Sequence, residues 1–213
     1  MSETMFLRKL TVGPLQVNCF VVACAVTRDA VVIDPGDDGE RILESIAEGG
    51  FNLRYIVNTH GHFDHIGANR ALVEATGAVL MVHRADAVLY QSACEHAKLF
   101  GLTTTPSPEP DRLLEDGDTF EVGELQFDVL HVPGHSPGGI CLHCLNHLFV
   151  GDVLFSGSIG RTDLQGGDHQ ALVAGIRQKL FMFPDDTLVH TGHGPDTSIG
   201  QEKRNNPFVG DPS

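Results

Sequence analysis

The chain has 213 residues, with 28 acidic against 14 basic side chains and a formal net charge of −14 at neutral pH. That balance opposes binding to nucleic acid or anionic lipid, both polyanions, and no run reaches the ~20 apolar residues of a membrane span. With 41% hydrophobic residues, the length suits one soluble domain over residues 1–213 with a sizeable core.

The N-terminal stretch MSETMFLRKLTVGP has no apolar signal region, so no secretory leader is expected. FLRKLTV (6–12), NCFVVACAV (18–26) and AVVIDPG (30–36) are short, rich in β-branched residues and broken by Gly and Pro, which predicts strands. ERILESIAEGG (40–50) has apolar residues at helical spacing and stops at Gly49 and Gly50. LRYIVNTH (53–60) reads as a strand running into a cluster of histidines. DHIGANRALVEATG (64–77) reads as a helix, AVLMVH (78–83) as a strand, and 84–101 as a helical segment with a possible break. The Pro-rich segment 103–111 is an ordered connector. TFEVG, LQFDVLHVPG, ICLHCL and HLFVGD (119–152) form a β-meander. A helix over 168–180, a strand TLVHTG (187–192) and a short helix in the tail complete the chain.

Five cysteines occur, Cys19, Cys24, Cys94, Cys141 and Cys144. An odd number without a secretory signal predicts reduced thiols and a cytoplasmic location. CLHC at 141–144 has the spacing of a zinc or redox pair. On a strand, however, residues three apart face opposite sides, so both are expected to be buried structural thiols.

The stretch NTHGHFDHIGA (58–68) crowds His60, His62, Asp64 and His65 into six positions. On an extended strand end, His60 and His62 share one face. Asp64 and His65 follow a turn and aim at a second point. Imidazole and carboxylate ligands converging in this way suit zinc and similar metals, but one cluster supplies too few ligands for two ions. The remainder has to come from far along the chain. His135 in HVPGHSPGG, Asp152 in LFVGDVLF and His193 in LVHTGHGPD each follow an apolar strand and sit in a Gly-containing turn, where strand ends give rigid placement.

THGHFDH, PGHSPGG, VGDVLF and TGHGP resemble, in order and spacing, the successive motifs of the metallo-β-lactamase superfamily. VVIDPG, with Asp34 at a strand end, resembles its first motif. The resemblance covers nearly the whole chain. It implies an α/β fold, an αββα sandwich of two mixed β-sheets with helices on the outer faces. It further implies two divalent ions, zinc foremost, with iron or manganese as alternatives. One ion would be held by His60, His62 and His135, the other by Asp64, His65 and His193, with Asp152 bridging both and Asp34 orienting the ligands from behind.

Such a pair of ions lowers the pKa of a shared water and polarises a carbonyl. No serine-nucleophile pattern competes, since FSGSIG does not fit G-x-S-x-G. Asp64 and Asp152 would double as proton acceptors. SIGRTDLQGGDH is similar to a segment of the glyoxalase II (hydroxyacylglutathione hydrolase) branch and of the persulfide dioxygenases. There Arg161 would bind a substrate carboxylate or steady the loop carrying Asp152; pairing with Asp163 is the plainer alternative. The tail resembles short, bacterial-type glyoxalase II-like hydrolases and lacks the extension that binds glutathione in longer ones. The expected activity is hydrolysis of a small S-acyl thioester such as S-lactoylglutathione. The alternatives are a mononuclear-iron persulfide dioxygenase using His60, His135 and Asp152, and a metal-binding module without turnover. The partner is a small molecule, and nothing in the sequence addresses oligomeric state.

Overall fold

Alternate residues of the β-branched runs face different cores, and this stacks the layers. The computed structural model describes residues 5–211. Its first sheet contains β1 (Met5–Val12), β2 (Val17–Cys24), β3 (Asp29–Ile33), β4 (Asn52–Val57), β5 (Val79–His83) and β6 (Arg112–Leu114), side by side in chain order. The first three strands are antiparallel, and β3 through β6 are parallel. Helices α1 (Gly39–Gly49), α2 (Phe63–Ile66), α3 (Asn69–Thr76), α4 (Ala87–Gln91) and α5 (Ala93–Leu99) lie in the parallel crossovers.

The meander forms as expected from β7 (Thr119–Val122), β8 (Leu125–His131), β9 (Ile140–Cys144) and β10 (His147–Gly151). A hairpin, β11 (Leu154–Phe155) and β12 (Ser158–Ile159), precedes α6 (His169–Lys179). Then come β13 (Leu188–Thr191), β14 (Thr197–Ser198) and α7 (Ile199–Asn205). The second sheet runs β14-β13-β10-β9-β8-β7, with β13 parallel to β10 and the other pairs antiparallel, so both sheets are mixed.

Val22, Val31, Ile33 and Val57 meet Phe127, Val129, Leu142 and Phe149 between the sheets. Their neighbours Val21, Ala23 and Val32 point the other way, onto Ile42, Ile46 and Leu72 of the helices. On the second sheet Leu148, Val150 and Val189 turn outward onto Leu172 and Ile176 of α6. The order is helix, sheet, sheet, helix, as the resemblance implied. β3 is covered on both faces, which explains its unbroken apolar run.

Two boundaries differ from the sequence reading. The helix expected over 64–77 divides at Gly67 and Ala68, because the Ala68 amide donates to the Pro35 carbonyl (2.9 Å) at the turn after β3. The strand expected through His60 ends at Val57, because the next free amide but one, Thr59, is taken by the Asp34 carboxylate (2.7 Å). Among the described residues, no helix is long and apolar enough to cross a membrane.

All five cysteines are free thiols. Cys141 packs outward against the α6 layer, while Cys144 packs between the sheets, so the CLHC pair does face opposite sides. Burial pushes the Cys141 thiol far up and the Cys144 thiol up to about 12. A thiol reagent should therefore label only half-buried Cys94 in the native protein and the remaining four after denaturation. Thiol titration with and without denaturant checks this, and a Cys141–Cys144 disulfide would overturn it.

Candidate metal centre

The motif residues gather at one edge of the sandwich, most of them in loops past the C-terminal ends of strands, with Asp64 and His65 in the short helix α2. Asp34 follows β3, His60 and His62 follow β4, His135 follows β8, Asp152 follows β10 and His193 follows β13. Backbone hydrogen bonds lace the two sheets together at this edge, from Ile140 to the Thr59 carbonyl and from Asn18 to the Gly192 carbonyl (both 2.8 Å). Residues far apart in sequence are thereby held on rigid neighbours.

Among the described residues, two of three close donor groups match the expected ligand sets, the third being Asp34, His60 and His65. The donor atoms of His60, His62 and His135 lie within 4.8 Å of one another, as do those of Asp64, His65 and His193. His62 Nδ1 is 3.0 Å from His135 Nε2, and His65 Nε2 is 3.4 Å from His193 Nε2. Asp152 stands between the groups. Its Oδ1 is 3.4 Å from His65 Nε2, and its Oδ2 is 3.7 Å from His135 Nε2 and 3.6 Å from His193 Nε2. Asp64 Oδ2 is 3.4 Å from His193 Nε2. Tetrahedral ligands with bonds of ~2.0–2.1 Å stand ~3.3 Å apart, close to these separations.

The far nitrogens are already committed. His135 Nδ1 donates to the Arg161 carbonyl (2.9 Å), and His193 Nδ1 donates to the Leu15 carbonyl (3.0 Å). A carbonyl can only accept, so in both rings Nδ1 carries a proton and Nε2 is the nitrogen left facing inward. Thr59 Oγ1 donates to Asp34 Oδ2 (2.7 Å) and so accepts from His60 Nδ1 (3.1 Å), with the same result. His60 Nε2 and Asp152 Oδ1 are then buried without a hydrogen-bond partner. Orphaned polar atoms of this kind are costly, and a cation bound between them removes the cost.

The electrostatics point the same way. Burial holds His60 well below the usual imidazole range, and burial with neighbouring His135 brings His62 down to about 3, so both present neutral lone pairs. Burial opposes charge on His65, but the carboxylates of Asp152, Asp34 and Asp64 outweigh it and raise His65 to about 10. Burial likewise opposes charge on Asp64, yet His65 and His193 hold its carboxyl well below its usual range. Three carboxylates thus gather around one imidazole, a field that demands positive charge. The donor set fits a pair of divalent cations of the zinc, iron or manganese type.

Asp34 is buried and in left-handed backbone geometry (φ 53°), uncommon for a non-glycine residue. It accepts from Thr59 N and Thr59 Oγ1, and its Oδ2 lies 3.0 Å from His65 Nδ1 without the alignment of a hydrogen bond. It stands behind two candidate ligands, reaching His60 through Thr59 and lying beside His65. The Arg161 guanidinium forms a two-pronged pair with Asp163 (both 2.8 Å), so its contact with the site is the backbone carbonyl on His135. Lys203 and Arg204 both pair with Asp185 and reach no anion site.

One residue of the site went unread in the sequence. Asp86, fully buried, accepts from Gly61 N (2.8 Å), Ser136 Oγ (2.8 Å) and Gly138 N (2.5 Å). It ties the loop between His60 and His62 to the loop after His135. Burial pushes its carboxyl up, against the pull of those three donors. Gly138 is needed for this approach, since a Cβ there would lie 2.6 Å from the Asp86 amide nitrogen.

Gly192 has a similar constraint. A Cβ on it would press on Asp152 Oδ1 and lie 2.9 Å from the Gly151 carbonyl carbon. Gly192→Ala should therefore weaken metal binding by about 10–100-fold, the range for residues that position ligands. Metal content after dialysis against graded chelator checks this; unchanged affinity would mean that Asp152 has no part in binding from this position.

A cavity of about 430 Å³ opens over both ligand groups, reaching His62, Asp64, His135, Asp152 and His193. That volume suits a small-molecule site.

Comparison with known proteins gives one family. The profile of the metallo-β-lactamase superfamily matches residues 12–193. A Haemophilus influenzae protein described as hydroxyacylglutathione hydrolase GloC is 40% identical over 204 residues, covering 94% of this chain and 96% of that protein. The crystal structure of the BLEG-1 B3 metallo-β-lactamase is similar at 38% identity and a TM-score of 0.87, covering 96% of this chain and 99% of the other. TTHA1623, in a di-iron-bound form, is similar at 42% identity and a TM-score of 0.87, covering 94% and 99%.

Proposed function

This chain belongs to the metallo-β-lactamase superfamily, and from that premise we propose that it is a binuclear metallohydrolase cleaving a small S-acyl thioester. His60, His62 and His135 would hold one ion, Asp64, His65 and His193 the other, and Asp152 would reach both. The single observation that carries the reading is Asp152, whose carboxylate stands against both groups, with Oδ1 near His65 and Oδ2 between His135 and His193. Similarity to a hydroxyacylglutathione hydrolase supports the thioester as substrate. Zinc is the proposed metal, one domain over residues 1–213 the proposed organisation, and the cytoplasm, where free thiols persist, the proposed location.

When bound, the ions supply an acidified water and a Lewis-acidic seat for the carbonyl oxygen. The chain's own groups do the rest. Asp64 and Asp152, the two carboxylates among the candidate ligands, would accept the proton released from the attacking water. The Arg161 and Leu15 carbonyls lock the orientation of His135 and His193, so neither ring reorganises during turnover. A thioester suits this set, because its carbonyl is electrophilic and its thiolate leaves without a dedicated acid.

A mononuclear-iron persulfide dioxygenase is the second reading, supported by similarity to ETHE1 from Myxococcus xanthus at 32% identity and a TM-score of 0.82, covering 96% of this chain and 84% of that one. Metal analysis paired with thioester-hydrolysis and oxygen-uptake assays separates the two. The expected result is about two ions per chain and hydrolysis of S-lactoylglutathione or a smaller S-acyl thiol. Absence of hydrolysis by the zinc-loaded protein, with oxygen uptake on glutathione persulfide by the iron-loaded protein, would overturn the proposal in favour of the second reading.

A further inference from the structure

The cavity over the ligand groups has a polar floor and an apolar wall. The wall is made by Leu15, Phe63, Leu89, Leu99, Phe100 and Leu164. Phe63 and Leu89 are nearly buried, whereas Leu99 is 82% and Phe100 53% exposed. The Phe63 and Phe100 rings stand 5.6 Å apart, so the exposed lip continues the buried wall. Uncovered apolar surface next to a reactive floor marks a place where a ligand is desolvated. Cationic groups are scarce around it. Arg161 is neutralised by Asp163, and His96 is the other basic side chain on the wall. The carboxylates of a glutathione moiety would meet little positive charge beyond the ions themselves.

We propose that this cavity selects its substrate by an uncharged, apolar acyl group packed against the Phe63–Leu89–Leu99–Phe100 wall, and not by a glutathione moiety. The inference rests on the thioester reading for its reaction and on the wall alone for its specificity. The carbonyl and the departing thiolate carry or develop charge and belong at the floor. The acyl chain is the part of the substrate that gains from leaving water, by about fourfold in kcat/KM for each methylene buried.

The test uses the zinc-loaded protein with a series of S-acyl-N-acetylcysteamine thioesters, from acetyl to octanoyl, beside S-lactoylglutathione. The expected result is kcat/KM rising about fourfold per methylene until the chain passes the lip, and exceeding the S-lactoylglutathione value. The double variant Leu99→Ser, Phe100→Ser should cut the octanoyl-to-acetyl ratio at least tenfold. Both side chains are more than half exposed, so the melting temperature should hold and serves as the folding control. A flat series, or S-lactoylglutathione as the best substrate, would overturn the proposal while leaving thioester hydrolysis standing. If no thioester is cleaved, the reaction assignment fails and a second measurement decides the wall. Calorimetric titration with alkanoates should give affinity rising with chain length in the wild type and not in the double variant; equal slopes overturn the proposal. Light scattering on both proteins covers the remaining occupant. A fall in mass in the double variant, with the octanoyl-to-acetyl ratio unchanged, would make the lip a contact between copies of the chain.

Discussion

Replacing Asp152 by alanine is expected to abolish metal-dependent activity and to lower metal content after dialysis from about two ions per chain to one or none. The carboxylate faces His65 with one oxygen and His135 and His193 with the other. Its loss takes a ligand from both groups at once, so the effect should exceed the ~100-fold upper range for residues that only support ligands. Stability provides a second readout. Added metal should raise the melting temperature of the wild type, because binding to the native state alone stabilises it by mass action, and that rise should vanish in the variant. Retention of two ions with full activity would remove Asp152 from the centre.

Asp86→Ala is expected to damage both the fold and the centre, although Asp86 stands outside the candidate ligand groups. The substitution leaves three donors, Gly61 N, Ser136 Oγ and Gly138 N, without their acceptor in a buried site. At ~1–3 kcal/mol per orphaned group the loss is about 3 kcal/mol or more, or roughly 6–12 °C in melting temperature for a chain of this size. The two loops it joins carry His60, His62 and His135, so affinity for metal should also fall, by about 10–100-fold. Asp86→Asn is not a rescue. The carboxylate accepts through both oxygens, and the asparagine NH2 would oppose one of the backbone N–H donors. A competitive chelator titration at a temperature where both proteins are folded separates the effects. A variant that is less stable but binds metal as tightly as wild type would assign Asp86 to the fold alone.

The ligand candidates were legible in the sequence because their side-chain chemistry is rare and crowded. His60, His62, Asp64 and His65 have no packing reason to stand together, and His135, Asp152 and His193 each follow an apolar strand. The layers were legible too. Runs such as VVI in β3 and the alternation in β7 and β8 state which faces are covered. The opposite placement of Cys141 and Cys144 follows from strand geometry alone.

Other features arose only in three dimensions. Asp86 reads in sequence as an ordinary acid near a helix start, yet its side chain caps no helix and its partners lie 25, 50 and 52 residues away. The grip of Arg161 on His135 is a backbone carbonyl, a group every residue carries, while its distinctive guanidinium is spent on Asp163. The division of the helix at Gly67 and Ala68 depends on a carbonyl from the turn after β3. Leu99 and Phe100 end a helical segment unremarkably, and only their position over the ligand groups turns them into a lip. What the sequence by itself determined was which residues carry unusual chemistry and which faces are apolar, because both are properties of side chains in local order. Which distant groups satisfy them was decided by the tertiary structure, because hydrogen-bond partners and cavity walls are set by separation in space and leave no local pattern.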